Sequence, residues 1–315
     1  MRSIDGTGEG VRRGTISSLR RRGRTAPEAV LEAPVDEIPR VGPKLVPRDA
    51  EPTVSIVIPA KNEARNLPYV LARLPMDGEV ILVDGNSTDD TIKVAQQLRP
   101  DIMVIHQTRE GKGNALACGF AAASGDFIVM IDADGSNDPA EIPRFVATLK
   151  EGADFAKGSR FLPGGGSLDI SWFRRWGNTW LNRIVNLMYG TRYTDLCYGY
   201  NAFRRGCLDV MRLNATEIEG SERGVMLWGD GFEVETLINV RIAKAGLRVT
   251  EVPSFESCRH FGVSNLNAFS DGMRVLRTIH AESKGAREAA STSVGAERKV
   301  AASWALLSTI TDEAV

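Results

Sequence analysis

Several features that would point directly to a function are scarce or absent in this chain. The four cysteines form no Cys-x-x-Cys pair and no zinc-ligand spacing, and the three histidines are scattered, which argues against a zinc centre. No stretch approaches the roughly 18–20 consecutive apolar residues of a membrane-spanning helix. The Arg-bearing N-terminus lacks the apolar core of a secretory signal. Lys plus Arg number 39 against 40 Asp plus Glu, so a protein that wraps nucleic acid by charge alone is not expected.

What is present is typical of a globular protein of the cytoplasm. An apolar fraction of 43% in 315 residues is ample for a core and excludes wholesale disorder. We expect a disordered Arg- and Pro-rich tail over residues 1–51, a single domain over 52–283 and a poorly defined extension over 284–315. Residues 1–24 hold seven Arg against one Asp and one Glu, a local charge of +5. This tail either contacts anionic lipid at the inner face of the plasma membrane, at about 1 kcal/mol per near-surface charge, or stays solvated.

β-branched runs alternate with helical patterns from residue 53 to residue 158. Strands are predicted at 53–58, 79–83, 102–106, 126–131 and 155–158, and helices at 64–74, 87–98, 114–123 and 139–150. This alternation predicts an α/β fold, in which a mostly parallel sheet carries helices on both faces. In such a sheet the carboxyl ends of the strands lie along one edge, where ligands bind.

Polar residues collect directly after the first four predicted strands. The four loops cover residues 59–63, 84–89, 109–114 and 132–136. Because all four follow parallel strands, they are expected to meet at the same sheet edge, and turn chemistry alone does not explain that coincidence. This edge is therefore the candidate functional site.

Two carboxylates, Asp132 and Asp134, end the most apolar of these strands. Like charges held so close repel each other unless a cation lies between them. Hard oxygen ligands in a loop suit Mg²⁺ or Mn²⁺ that is completed by substrate phosphates. The alternative is that both are turn or cap aspartates before Pro139.

Two further loop residues carry weaker signals. Asp84 also ends an apolar strand, where a carboxylate can accept hydrogen bonds from a base or a ribose hydroxyl; its alternative role is to cap the next helix. Lys112 lies between two glycines and can meet a phosphate, although the segment lacks the full pattern of a P-loop.

Taken together, these segments resemble the family 2 glycosyltransferases of the GT-A fold. The matching strings are SIVIPAKNE (55–63), VDGNSTDDT (83–91), GKG (111–113) and DAD (132–134). Three later strings, GSRF (158–161), EVP (251–253) and RHFGVSN (259–265), resemble the branch that makes dolichyl- or polyprenyl-phosphate hexoses. The resemblance covers about residues 53–282.

This resemblance implies roles for particular residues. A divalent metal, Mg²⁺ or Mn²⁺, would be held by Asp132 and Asp134, with Asp134 as a catalytic residue. The nucleotide-sugar donor would be bound by Pro59, Ala60, Asn62, Glu63, Asp84, Lys112, Asp132, Ala133 and Asp134. A lipid-phosphate acceptor would be bound by Arg160, which also counts as catalytic, and by Arg175 (or Arg174), Asn178 and Arg259.

The nature of the acceptor stays open. A phosphate is already anionic near neutral pH and needs positioning, not a base. A hydroxyl acceptor needs a general base, and Asp230 is the candidate, since the family has an acidic residue near this point. Asp230 is equally suited to be the N-cap of the following helix, with Glu233 completing a capping box.

The resemblance therefore implies an inverting, metal-dependent glycosyltransferase that moves a mannose or glucose from a GDP- or UDP-sugar to a polyprenyl or dolichyl phosphate. One alternative is the same donor chemistry with a hydroxyl acceptor in polysaccharide or natural-product assembly. Others are a nucleotide-sugar-binding protein without turnover and a nucleotidyltransferase. The sequence leaves the oligomeric state open.

An aromatic run follows the GSRF segment. Trp172, Phe173, Trp176 and Trp180 recur at helical spacing on a helix predicted to end near Met188. Core packing is the expected role of such a stripe, and a lipid-facing groove near the acceptor is the alternative.

Overall fold

A computed structural model of the protein describes residues 51–215, 226–262 and 272–284. The predicted tail up to residue 50, the extension from 285 onward and the pair 264–265 lie outside these residues. The strands are β1 (Val54–Ala60), β2 (Glu79–Asp84), β3 (Met103–His106), β4 (Phe127–Met130), β5 (Phe155–Ser159), β6 (Gly166–Ser167), β7 (Asn201–Arg204), β8 (Val249–Pro253) and β9 (Phe255–Glu256). The helices are α1 (Leu67–Leu71), α2 (Thr91–Leu98), α3 (Lys112–Ala122), α4 (Ile142–Lys150), α5 (Trp172–Tyr189), α6 (Cys207–Met211), α7 (Val234–Lys244) and α8 (272–284).

The main sheet has the strand order β3-β2-β1-β4-β7-β5-β8. Strands β1, β2, β3 and β4 run parallel to one another. In their register, Ile56 of β1 lies beside Val80 of β2 and Val129 of β4. β7 runs antiparallel to both neighbours, β4 and β5, and sequence patterning did not predict it. The α/β fold with a mostly parallel sheet is confirmed.

Alternate residues of β1 face opposite layers of the fold. Ile56 and Ile58 pack into a core that includes residues of α1 and α4. Val57 packs into a second core with residues of α3 and α7. Strands buried on both faces explain why these segments read as continuous apolar runs. Helices on both faces are thereby confirmed.

The loops at the sheet edge shorten one predicted helix. Helix α1 begins at Leu67, not at residue 64, because the preceding backbone bonds to the next loop along the sheet. The amide of Glu63 donates to Thr91 Oγ1 at 2.8 Å and that of Ala64 to Asp89 Oδ2 at 3.2 Å. The first two strand-end loops are thus tied to each other.

Helix α5 departs from the expected packing of its aromatic stripe. It begins after Ser171, whose hydroxyl accepts from the amide of Arg174, and ends at Gly190, which has φ 67°. Trp172, Phe173, Trp176 and Trp180 are all exposed, so the expectation that they pack in the core is wrong. Among the described helices, none combines the length and the apolar character needed to cross a membrane.

Candidate functional site

The four strand-end loops meet at one large cavity of about 780 Å³. The parallel order β3-β2-β1-β4 places the ends of these strands side by side, and helices α5 and α7 and residues 256–262 close the cavity. The structure brings to its wall these residues singled out from the sequence: Pro59, Ala60, Glu63, Lys112, Asp132, Ala133, Asp134, Arg160, Asn178 and Arg259. It does not bring there Asn62, Asp84, Arg175 or Asp230.

Lys112 bridges two carboxylates in the cavity. Its Nζ lies 2.7 Å from Asp132 Oδ1 and 2.9 Å from Glu235 Oε1. Burial opposes the charge on Lys112, but the two carboxylates outweigh it and raise the pKa of the ammonium well above its usual value. Burial also raises the pKa of Glu235, against the opposing effect of Lys112. Sequence reasoning assigned no role to Glu235, although an acidic residue in the otherwise apolar start of α7 was an available signal.

The two glycines around Lys112 are required by a close backbone approach. A Cβ at Gly113 would lie 1.8 Å from the carbonyl oxygen of Gly229, and one at Gly111 would lie 2.1 Å from that of Asp230. The amide of Gly113 donates to the carbonyl of Asp230 at 2.7 Å. Packing of α3 on this loop therefore fixes the direction from which Lys112 enters the cavity.

Asp134 lies beside a second cation, Arg259. Arg259 is 3.5 Å from Asp134 Oδ2 and forms an ion pair with Glu63. Burial raises the pKa of Glu63, while Asn66 and Arg259 oppose the shift. Arg259 was predicted at the acceptor, and the structure instead places it between two residues predicted to bind the donor.

The carboxylates of Asp132 and Asp134 fit a divalent metal. Both residues line the cavity, and about 32% and 21% of their side chains are exposed. Within the described ranges, no cluster of three or more His, Cys, Asp or Glu side chains is arranged to hold a metal ion. Two carboxylates suit Mg²⁺ or Mn²⁺ that takes its remaining ligands from substrate phosphates and water.

Arg160 also lines the cavity, and its guanidinium is engaged in hydrogen bonds with two carboxylates. Its Nε and Nη2 donate to Asp195 at 2.7 and 2.9 Å, and its Nη1 donates to Glu256 at 2.9 Å. The guanidinium also stacks over Tyr198, 4.7 Å from the ring centre. Arg160 is therefore held rigidly, and its charge is balanced before any ligand arrives.

Helix α5 contributes a different pair of side chains from the one predicted. Asn178 is buried on the cavity wall, and within the described part of the chain its Nδ2 has no hydrogen-bond partner. Arg174 also lines the cavity, 3.2 Å from Asp169. Arg175 points elsewhere and stacks over Phe161, so the choice of Arg175 over Arg174 is corrected by one residue.

Asn62 and Asp84 brace the loops and do not line the cavity. Asn62 has φ 58°, and its Oδ1 accepts from the amide of Thr88 at 2.7 Å. Asp84 is buried and accepts from the amide of Ser87 at 3.1 Å, with His106 Nδ1 3.4 Å away. Both side chains are thus occupied in shaping the turns after β1 and β2.

Asp230 is neither in the cavity nor the N-cap of α7. Its carboxylate accepts two hydrogen bonds from Arg109, at 2.8 and 2.9 Å, and both side chains are buried. The helix begins four residues later, and Glu233 instead accepts from the amides of Gly229 and Gly231. The predicted capping box is therefore wrong. The ion pair with Arg109 and the position outside the cavity argue against a role of Asp230 as general base, which stays a prediction.

Solved structures of the same architecture define the class of protein. Glucosyl-3-phosphoglycerate synthase from Mycobacterium tuberculosis, solved in complex with Mn²⁺, uridine diphosphate and phosphoglyceric acid, matches with a TM-score of 0.56 at 22% identity. The match covers 74% of this chain and 78% of that one. This likeness confirms the GT-A fold.

Sequence relatives define the family. Residues 55–212 match the family described as Glycosyl transferase family 2. Undecaprenyl-phosphate mannosyltransferase of Micrococcus luteus is 32% identical over 238 residues, covering 71% of this chain and 91% of that protein. Polyprenol monophosphomannose synthase of Mycolicibacterium smegmatis is 31% identical over 223 residues, covering 67% and 80%. The chain belongs to glycosyltransferase family 2 and is a glycosyltransferase.

Proposed function

We propose that the protein transfers a hexose, mannose or glucose, from a GDP- or UDP-linked donor to the phosphate of a polyprenyl phosphate, with inversion at the anomeric carbon. The observation that carries this proposal is the cavity itself. Its wall carries two partly exposed carboxylates, Asp132 and Asp134, together with Arg174 and the amide of Asn178, which has no hydrogen-bond partner among the described residues. The names of the two relatives, an undecaprenyl-phosphate mannosyltransferase and a polyprenol monophosphomannose synthase, support the same acceptor class.

The donor side would act on the leaving diphosphate. A divalent cation held by Asp132 and Asp134 would neutralise the charge that develops on the diphosphate as the anomeric C–O bond breaks. Lys112 is kept protonated by its two carboxylates and adds a fixed positive charge beside Asp132. Arg259 offsets the charges of Glu63 and Asp134 and holds both in place.

The acceptor side would position a nucleophile that is already charged. A phosphate oxygen attacks the anomeric carbon from the face opposite the diphosphate, so one bond forms as the other breaks. Asn178 Nδ2 is a buried donor to which no described residue offers an acceptor, and Arg174 also lines the cavity, so both are suited to the incoming phosphate. No proton needs to be removed, which agrees with the commitment of Asp230 to Arg109.

The test is a transfer assay with radiolabelled GDP-mannose, GDP-glucose, UDP-glucose and UDP-mannose, each offered with polyprenyl phosphate or with the free polyprenol. We expect label in an organic-extractable product from one donor, only with the phosphate and only with Mg²⁺ or Mn²⁺. Asp134→Asn should lower the rate by about 100-fold or more at unchanged thermal unfolding, because a partly exposed carboxylate adds little to the core. Transfer to the free alcohol alone would contradict the proposed acceptor, and release of free sugar alone would contradict transfer.

A further inference from the structure

Helix α5 exposes large apolar side chains to solvent, while it buries asparagines beside the apolar Val185. Three asparagines at four-residue spacing, Asn178, Asn182 and Asn186, face inward. Asn182 Oδ1 accepts from the amide of Leu196 at 2.8 Å, and Asn186 Nδ2 donates to the carbonyl of Tyr193 at 2.9 Å. The polar side of the helix is thus used to bond the segment that follows it.

Another side of α5 exposes a series of large apolar side chains, called here the aromatic face. It consists of Trp172, Phe173, Trp176, Trp180 and Leu187. Their exposed fractions are 80, 47, 57, 48 and 88%, respectively. The rings contact one another along the helix, with centroid separations of 6.0 to 6.5 Å. Contiguous exposed apolar surface of this kind marks a site of interaction with a membrane or a protein.

The charges of α5 favour a membrane as the occupant. The helix carries Arg174, Arg175 and Arg183 and no acidic residue. Arg183 lies over the ring of Trp180, 5.5 Å from its centre. Arginines beside tryptophan and phenylalanine on one helix face match an anionic lipid interface, where rings enter the headgroup boundary and cations meet phosphates. Two copies of this face would bring like charges together in a symmetric pair, which disfavours a dimer.

We propose that the aromatic face docks the enzyme on an anionic phospholipid bilayer, with α5 lying in the plane of the interface. This inference rests on the proposed function, because docking on a bilayer serves an enzyme whose acceptor is a lipid phosphate. Arg174 and Asn178 line the cavity, and Phe173 belongs to both the cavity wall and the aromatic face, so a single helix joins the two surfaces. A lipid phosphate then enters the cavity beside α5, and its hydrocarbon chain stays in the bilayer.

The experiment uses the full chain and vesicles that contain phosphatidylglycerol, phosphatidylcholine and brominated lipid. The test variant is Trp176→Ser/Trp180→Ser, two exposed positions outside the cavity wall. The control is Trp228→Ser, an equally exposed tryptophan off the helix. We expect brominated lipid to quench the fluorescence of the wild type, and the double variant to bind vesicles about 100-fold more weakly. The control should bind like the wild type.

The Arg-rich N-terminal segment is present in every variant, so it cannot account for a difference between them. Vesicle binding that survives the double substitution and disappears in about 0.5 M salt would assign docking to that segment and overturn the proposal. Concentration-dependent dimerisation of the wild type that the double substitution abolishes would also overturn it.

Turnover separates this inference from the proposed function. With a short, water-soluble isoprenyl phosphate, the double variant should match the wild type, and with acceptor in vesicles it should fall with binding. Equal turnover on vesicles would overturn docking by α5. Vesicle binding through α5 without any transfer to a lipid phosphate would contradict the proposed function alone.

Discussion

Replacing Glu235 by Gln tests how the donor side of the cavity is organised. The change keeps the size of the side chain and an acceptor oxygen, but it removes one of the two carboxylates that hold the Lys112 ammonium. A hydrogen bond to a charged group is worth about 1.5–3 kcal/mol, and the retained acceptor recovers part of it. If Lys112 assists departure of the diphosphate, the substitution should remove about 1–2 kcal/mol of transition-state stabilisation, which lowers kcat about 5- to 30-fold.

The assay is the initial rate at saturating donor and acceptor, measured in a cycle with Lys112→Met. If Glu235 acts through Lys112, adding Glu235→Gln to Lys112→Met should cause no further loss. An equal loss in both backgrounds would refute the reasoning. The matched control is Glu233→Gln, a buried carboxylate two residues away that does not contact Lys112, and it should leave kcat per folded molecule unchanged.

The pH profile supplies an independent readout for the same residue. Burial raises the pKa of Glu235, so its carboxylate is present above that raised value and is lost as pH falls through it. As the pH is lowered, wild-type kcat should therefore begin to decline at a pH above the ordinary pKa of a glutamate, about 4.3. The Glu235→Gln variant should lack this limb, and an unchanged limb would contradict the assignment.

Three further changes probe other parts of the structure. Asp230→Asn removes the carboxylate partner of Arg109 from a buried pair, so the free energy of unfolding in urea should fall by about 3 kcal/mol. The folded variant should keep its turnover. A loss of specific activity without a loss of stability would instead support Asp230 as a general base. Gly113→Ala places a Cβ 1.8 Å from a backbone oxygen, so the midpoint temperature of thermal unfolding should fall by more than about 10 °C. An unchanged midpoint would show that the loop can move away from the added methyl group. Burial raises the pKa of Cys197 to about 11, so alkylation near neutral pH, followed by peptide mass spectrometry, should modify the exposed Cys258 first. Comparable rates at both thiols would contradict the raised pKa of Cys197.

The sequence predicted the parallel strands and the meeting of four loops because both follow from local patterns. Apolar runs such as 127–130 identify buried strands, and the rule for parallel sheets then fixes the edge at which Asp132 and Asp134 lie. It did not predict β7, because the four residues Asn201–Arg204 show no alternation and pair antiparallel in the middle of the sheet. A short buried strand of this kind has no local signature.

Other failures came from contacts between residues far apart in the chain. Nothing near Asp230 reveals that Arg109, 121 residues earlier, occupies its carboxylate. The sequence likewise does not reveal that Arg160, which lines the cavity as predicted, is paired with Asp195 and Glu256. The aromatic stripe of α5 has helical spacing in either environment, so periodicity located the helix but not the side that faces the protein.

The most direct test of the central claim is the calorimetric affinity of the isolated nucleoside diphosphates, UDP and GDP, with and without Mn²⁺. The account predicts that Mn²⁺ strengthens the binding of one of them by about tenfold or more, and that Asp132→Asn and Asp134→Asn each remove this gain while leaving metal-free binding unchanged. Equal affinity with and without the metal, or a gain that survives both substitutions, would contradict the assignment of these two carboxylates to a metal that bridges to the diphosphate.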